Sequence, residues 1–169
     1  FRGDDRLIYT INRGEHVAIK KHAISGANLL DDGHAGMLLD NPVDLAVAAD
    51  GRMLAVYSDG TVGEYTADGY FVCLFAGPGN RTDRIGLFDA PSGIGVDSSN
   101  NIYVLDERRQ SIQVFAPTPA QQSLYKAMTL YNDGAYDESI ASLNQVVKYN
   151  DTSYLAHLFL GRNYLQKND

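Results

Sequence analysis

The chain has 169 residues, 44% of them hydrophobic and 21% charged, which places it among globular rather than disordered sequences. Its formal charge of −7 argues against nucleic acid as the principal partner, because phosphate binding requires a basic stripe that the chain lacks. No apolar run approaches the roughly 18 residues of a membrane-spanning helix, and the lone Cys73 excludes an intramolecular disulfide.

Taken in order, the chain opens Phe1-Arg2-Gly3 without an initiator Met, from which a start upstream of Phe1 is expected, with any export signal lost along with it. Leu7-Ile8-Tyr9-Thr10-Ile11 is an apolar strand that resembles the later Gly63-Glu64-Tyr65-Thr66, and Val17 to Ile24 follows as its outer neighbour. Residues 1–24 therefore read as the last two strands of one repeat unit. Lys20-Lys21-His22 is expected to be a solvated edge cluster, since lysine on an edge discourages strand-to-strand aggregation. A Gly-containing connection, Ser25 to Asp40, leads to the next unit and has a counterpart in Gly77 to Asp89.

Asn41-Pro42-Val43-Asp44-Leu45-Ala46-Val47 returns 49 residues later as Ala90-Pro91-Ser92-Gly93-Ile94-Gly95-Val96. Each copy continues into a turn, an alternating strand (53–57, then 102–105), a second turn and a third strand (62–66, then 112–115). A repeat of this length built of short strands is one blade of a β-propeller or related array. Asp50-Gly51, Asn100-Asn101 and Asp68-Gly69 supply the left-handed conformations that tight hairpins require. The first complete unit is predicted to have four strands, near 43–48, 53–57, 62–66 and 70–76. Cys73 lies in the last of these and reads as a buried thiol. The second unit stops after three strands at Phe115. This places the expected outer strand beyond Asp169, with the intervening helices inserted within a blade.

Beyond Phe115 the hydrophobic period changes. Pro117 and Pro119 stiffen a linker over 117–121. Helical spacing begins near Ala120, with Leu124, Ala127, Met128 and Tyr131. A second helix runs from Tyr136, with Ile140, Leu143, Val146 and Val147 on one face, and a third from about Ser153. Ala127 and Gly161 stand 34 residues apart, as do Leu130 and Tyr164, the period of a helix–turn–helix solenoid.

These residues carry two resemblances. Asp89-Ala90-Pro91-Ser92-Gly93-Ile94-Gly95-Val96-Asp97, Asn101-Ile102-Tyr103-Val104-Leu105-Asp106 and Ser111-Ile112-Gln113-Val114-Phe115 resemble the NHL-repeat β-propeller family. The copy at Asn41 is more degenerate, with Tyr57 where the family usually has Asp. Tyr125 to Asn168 resembles a tetratricopeptide repeat (TPR), through Gly134-Ala135-Tyr136-Asp137-Glu138-Ser139-Ile140 and a second opening at Ala156-His157-Leu158-Phe159-Leu160-Gly161-Arg162-Asn163-Tyr164. Departures include Ser123 for an aromatic, Ser139 for Ala and Asp151 for Pro. The combination, with Lys126 to Ser139, is similar to Gram-positive bacterial NHL/TPR envelope proteins, which implies an extracytoplasmic or envelope location.

The fold expected is thus multidomain β + α. A partial propeller of four-stranded antiparallel blades occupies 1–116, with the end of one blade, a full blade at 41–88 and three strands at 90–115. A TPR-like hairpin plus one further helix occupies 122–169.

Candidate sites are few. His16, His22, His34 and His157 lack metal-ligand spacing. Asp44, Asp97 and Asp106 are the acids placed where lactonase-like propellers hold a cation, yet Asp at such places more often caps turns, so neither a metal nor a cofactor is expected. Gly-x-Ser-x-Gly is absent, and Gly77-Pro78-Gly79 is no phosphate loop. Arg108 and Arg109 read as a solvated turn. Matching the TPR resemblance residue by residue puts Leu124, Met128, Tyr131, Asn132, Leu158, Arg162 and Leu165 on groove-facing helices. That implies a protein or peptide partner and a non-catalytic scaffold. The alternative is a lactonase-like or lyase-like enzyme whose metal site is completed by further blades.

Overall fold

The computed structural model describes residues 7–12, 19–30, 39–80 and 84–168. The chain divides after Phe115 into two compact units, Phe1–Phe115 and Ala116–Asp169. In the first, β1 (Leu7–Ile11) pairs antiparallel with β2 (Ile19–Ala23). Strands β3 (Pro42–Val47), β4 (Met53–Tyr57), β5 (Thr61–Tyr65) and β6 (Phe71–Pro78) then form an antiparallel meander. A fifth strand, β7 (Leu87–Phe88), pairs parallel to the end of β6. It adds to the four expected strands, since two residues are too few to show a period. Strands β8 (Pro91–Val96), β9 (Ile102–Asp106) and β10 (Ser111–Phe115) make a three-stranded sheet.

The two larger sheets are built alike in detail. Their registers slip at the same place, between Pro42 and Asp44 and between Pro91 and Gly93, where a proline offers no N–H to the ladder. Gly51, Asn100 and Gly69 take φ of +85°, +64° and +86°, the left-handed turns that their dipeptides favour. The sheets lie side by side, with β1 near β3 and β3, the first strand of its sheet, near β8, the first strand of the next. Successive meanders packed in this order form a partial β-propeller.

Two hydrophobic layers hold the sheets together, and β4 belongs to both. Met53, Ala55 and Tyr57 join Ile19, Leu30 and Tyr65, with Tyr9, Ile11 and Phe71 packed around them. Leu54 and Val56 join Val62, Phe88, Ile102 and Val104, with Ile94 and Phe115 alongside. All five residues of β4 are at most 1% exposed. Full burial of each Leu- or Val-sized side chain contributes about 1.5–3 kcal/mol.

Lys21 differs from the solvated cluster expected of it. Its Nζ donates to the Ala67 carbonyl at 3.1 Å, tying β2 to the turn after β5. Cys73 is half-buried rather than buried, and its Sγ donates to Glu64 Oε2 at 3.5 Å.

The helical unit comprises α1 (Pro119–Asn132), α2 (Tyr136–Tyr149) and α3 (Tyr154–Asn168), with α2 packed on both neighbours. Helix α1 takes in Pro119 to Gln121, which the sequence reading assigns to the linker. Proline suits the first helical position, and Thr118 and Gln121 close a capping box ahead of it. Residues 116–122 therefore supply no outer strand to the β8–β10 sheet. Ser139 is buried, its Oγ donating to the Ala127 carbonyl at 2.8 Å and accepting from Asn163 Nδ2 at 3.0 Å. This hydroxyl relay links all three helices where Ala could not.

A buried pair distinguishes the first full blade. The Tyr57 and Tyr65 hydroxyls lie 2.7 Å apart, and a Cβ on Gly63 would come within 2.9 Å of the Tyr65 hydroxyl. Burial raises the pKa of both phenols above the ordinary 10.0. A raised folded-state pKa gives stability that is complete below the unfolded value and lost as pH rises past it. Urea denaturation is expected to show falling stability above about pH 10, a fall reduced in the Tyr57→Phe/Tyr65→Phe double variant. Gly63→Ala is expected to cost about 1–3 kcal/mol by crowding the two rings.

Candidate interaction site

The charged side chains of the β unit are organised first by burial. Arg52 is 2% exposed and Glu64 0%, on the face of the full blade that meets the next one. The Arg52 guanidinium binds Glu64, donates through Nε to Asp50 Oδ2 at 2.7 Å, and reaches Asn100 Oδ1 in the following sheet. Glu64 faces Leu54 in the β4–β5 register, so the pair lies against the second hydrophobic layer.

The three acids singled out as cation candidates are each engaged by the scaffold. Asp44 Oδ2 accepts from the Ile94 N–H at 2.9 Å, joining β3 to β8. Asp97 accepts from the backbone N–H groups of Ser99 and Asn101, both at 2.8 Å, from Asn101 Nδ2 and from the Tyr103 hydroxyl. These donors, the Asn101 side chain foremost, hold the Asp97 carboxyl below its ordinary pKa. Asp106 is fully buried and accepts from the N–H groups of Asp89, Ala90 and Arg109. Among the described residues, no three His, Cys, Asp or Glu side chains cluster to hold a metal ion. His22 Nε2 lies 3.4 Å from the Thr10 hydroxyl and His157 Nε2 2.7 Å from the Asp151 carbonyl. His16 and His34 lie outside the described residues.

Arg109 departs from the solvated turn expected for Arg108-Arg109. It is folded inward, its Nε 3.1 Å from Asp89 Oδ2 and 3.6 Å from Asp106 Oδ2. Gly79 lets the chain pass this group, since a Cβ there would meet both Arg109 and Asp89. Arg108 stays exposed and helps line a cleft of about 270 Å³ with Ser58, Asp59, Asn80 and Asp89. The sequence reading did not find this cleft, which is assembled from the β4–β5 and β9–β10 turns and the segment after β6.

In the helical unit the seven residues expected to line a groove divide by exposure. Leu124 and Met128 are 6% and 5% exposed and belong to the core. The Tyr131 ring packs edge-on against Phe159 at 5.4 Å, and the Arg162 guanidinium lies over the Phe159 ring, 5.4 Å from its centroid. Asn132 is exposed, Leu158 half-buried and Leu165 67% exposed. Tyr154 and Tyr164 extend this accessible apolar surface on α3, at 64% and 51% exposure.

The unit from Phe88 to Phe115 combines the buried Asp106 turn anchor, the three-stranded meander and the inner strand Pro91–Val96. Residues 88–115 match the family model of the NHL repeat. The chain carries an NHL repeat. Among solved structures it is similar to two computationally designed proteins, Ika8 (TM-score 0.49, 13% identity, 67% of this chain covered) and Ika4 (0.45, 13%, 68%). It is also similar to the extracellular domain of the hybrid two-component system BT3049 from B. thetaiotaomicron (0.43, 17%, 68%). The chain spans 31%, 62% and 16% of the lengths of these three structures. No curated protein matches its sequence.

Removing Arg52 leaves the fully buried Glu64 carboxylate against an apolar layer. Arg52→Met is expected to cost about 3–5 kcal/mol in chemical denaturation, and adding Glu64→Leu to recover part of it, because the uncompensated charge goes too.

Proposed function

We propose that the chain is a non-catalytic interaction scaffold, binding a protein or peptide partner through the loops of its propeller unit and the exposed face of a TPR-like helical unit. The observation that carries this reading is the contrast between the two kinds of surface. Polar groups of the propeller interior (Arg52 with Glu64, Arg109 with Asp89 and Asp106) are engaged in holding strands and turns. Accessible apolar side chains lie on α3, at Tyr154, Tyr164 and Leu165, and on β9 and β10, at Tyr103, Leu105, Ile112 and Val114. Exposed apolar surface beside polar residues is the character of a docking face. Asn132, Tyr131, Leu158, Arg162 and Leu165 are the contact residues of this proposal. The NHL repeat agrees with it, and an extracytoplasmic, envelope-associated site of action is part of the same reading.

Two measurements test it. The immobilised full chain should retain a partner from an extract of the source cells, and Arg162→Glu should weaken that retention at least tenfold with the circular dichroism unchanged. Undiminished retention would remove the helical face from the site. Calorimetric titration with Ca²⁺, Mg²⁺ or Zn²⁺ should show no tight stoichiometric binding. A submicromolar, one-to-one site would favour the metal-dependent enzyme instead.

A further inference from the structure

Arg52, Glu64, Asp106 and Arg109 hold one another or the backbone, and the polar cleft beside Asp89 is lined differently. Among the described residues, the Arg108 guanidinium, the Asn80 amide and the Ser58 hydroxyl that line it have no partner. Asp59 commits Oδ1 to the Thr61 N–H at 2.9 Å and leaves Oδ2 open. Asp89 is already paired with Arg109. The cleft therefore carries two uncompensated charges of opposite sign, Asp59 on the β4–β5 turn and Arg108 on the β9–β10 turn, which form no ion pair with each other.

Its walls are set by the fold. The Gly60 N–H closes the β4–β5 turn on the Tyr57 carbonyl at 2.9 Å, and a Cβ on Gly60 would come within 2.5 Å of the Gly77 carbonyl oxygen. The Gly79 N–H donates to the Phe88 carbonyl at 2.6 Å, which fixes the segment after β6. The β9–β10 turn is tied down by the Glu107 N–H on the Ala90 carbonyl at 2.9 Å and by the Arg109–Asp89 pair. A cleft held in this way loses little conformational freedom when a ligand enters.

We propose that the cleft binds a small zwitterion of the amino-acid or dipeptide class, its carboxylate on the Arg108 guanidinium and its ammonium on Asp59. Ser58 and Asn80 supply neutral hydrogen bonds beside these two contacts. The volume of about 270 Å³ lies at the lower limit for small-molecule pockets and restricts the ligand to a few heavy atoms more than an amino acid. Charge sets the class. A neutral ligand would displace water from both charged groups without replacing its hydrogen bonds, and a simple anion would answer Arg108 while facing the open carboxylate oxygen of Asp59. A guanidinium takes a carboxylate through two parallel hydrogen bonds. This site goes beyond the interaction function proposed above and does not depend on the helical unit.

The probes are L-alanine and L-alanyl-L-alanine, titrated separately into the isotope-labelled full chain. Saturable amide shifts are expected at Asp59, Gly79, Asn80 and Arg108 with at least one probe, and the tighter of the two identifies a free amino acid or a peptide as the source. Arg108→Gln and Asp59→Asn should each weaken binding by about tenfold or more. Both variants are expected to keep the fold, because Arg108 has no described partner to lose and the asparagine carbonyl still accepts from Thr61. Unchanged circular dichroism checks this. Absence of saturable shifts with both probes up to about 10 mM, well above a Kd of about 1 mM, overturns the proposal. Binding unchanged in both variants overturns it too. So does acetate or ethylammonium binding as tightly as alanine, which would reduce the site to a contact with one charge.

Discussion

Because β4 is removed from water on both faces, the propeller unit depends on a strand that must have a sheet on either side of it. Met53, Ala55 and Tyr57 bury themselves toward β1 and β2, and Leu54 and Val56 toward β8 and β9. A single antiparallel sheet with one wet face would leave half of these side chains exposed. Successive blades are therefore obligatory neighbours. The polar groups carried between them must be satisfied internally, which is the situation of Arg52, Glu64, Asp50 and Asn100. Such a buried cluster is weak evidence of net stability, since desolvation offsets much of the attraction. What it fixes is relative position. Arg52 reaches Asn100 only if the two blades stand in one register.

The two copies of the repeat solve the end of the second strand differently. In the second copy, Asp106 gathers the N–H groups of Asp89, Ala90 and Arg109 and pairs with the Arg109 guanidinium. In the first, Tyr57 occupies that position and turns to Tyr65, with Gly63 making room for the rings. One copy closes its turn by charge and hydrogen bonding, the other by aromatic volume and a hydroxyl pair. Both devices are structural. This is why the acids that resemble a cation shell in sequence serve as turn and strand anchors in three dimensions.

The helical unit divides its polar groups in the same way. Ser139 and Asn163 form a buried relay with the Ala127 and Phe159 carbonyls, and Arg162 lies against the Phe159 ring. The apolar groups left over on α3 are accessible. Interior polarity holds the helices together, and the hydrophobic surface of Tyr154, Tyr164 and Leu165 is left exposed. The interaction function proposed for the chain rests on that distribution rather than on any single residue.

The sequence by itself determined the elements and their repetition. Alternating residues at 53–57 and 102–105, turn dipeptides at Asp50-Gly51 and Asp68-Gly69, and the 34-residue spacing of Ala127 and Gly161 are local patterns, set by side-chain period and backbone conformation. The two-residue strand β7 left no such pattern, and Pro119 looked like a linker because its role as first helical residue depends on the cap that precedes it. Which side of a residue faces a neighbour was decided only in the tertiary structure. Arg109 and Lys21 read as solvated until the Asp89 carboxylate and the Ala67 carbonyl were brought beside them. Leu124 and Leu158 are equivalent in sequence, yet one is buried and the other half-open, because burial depends on which element packs against a face and the chain's local period does not encode that.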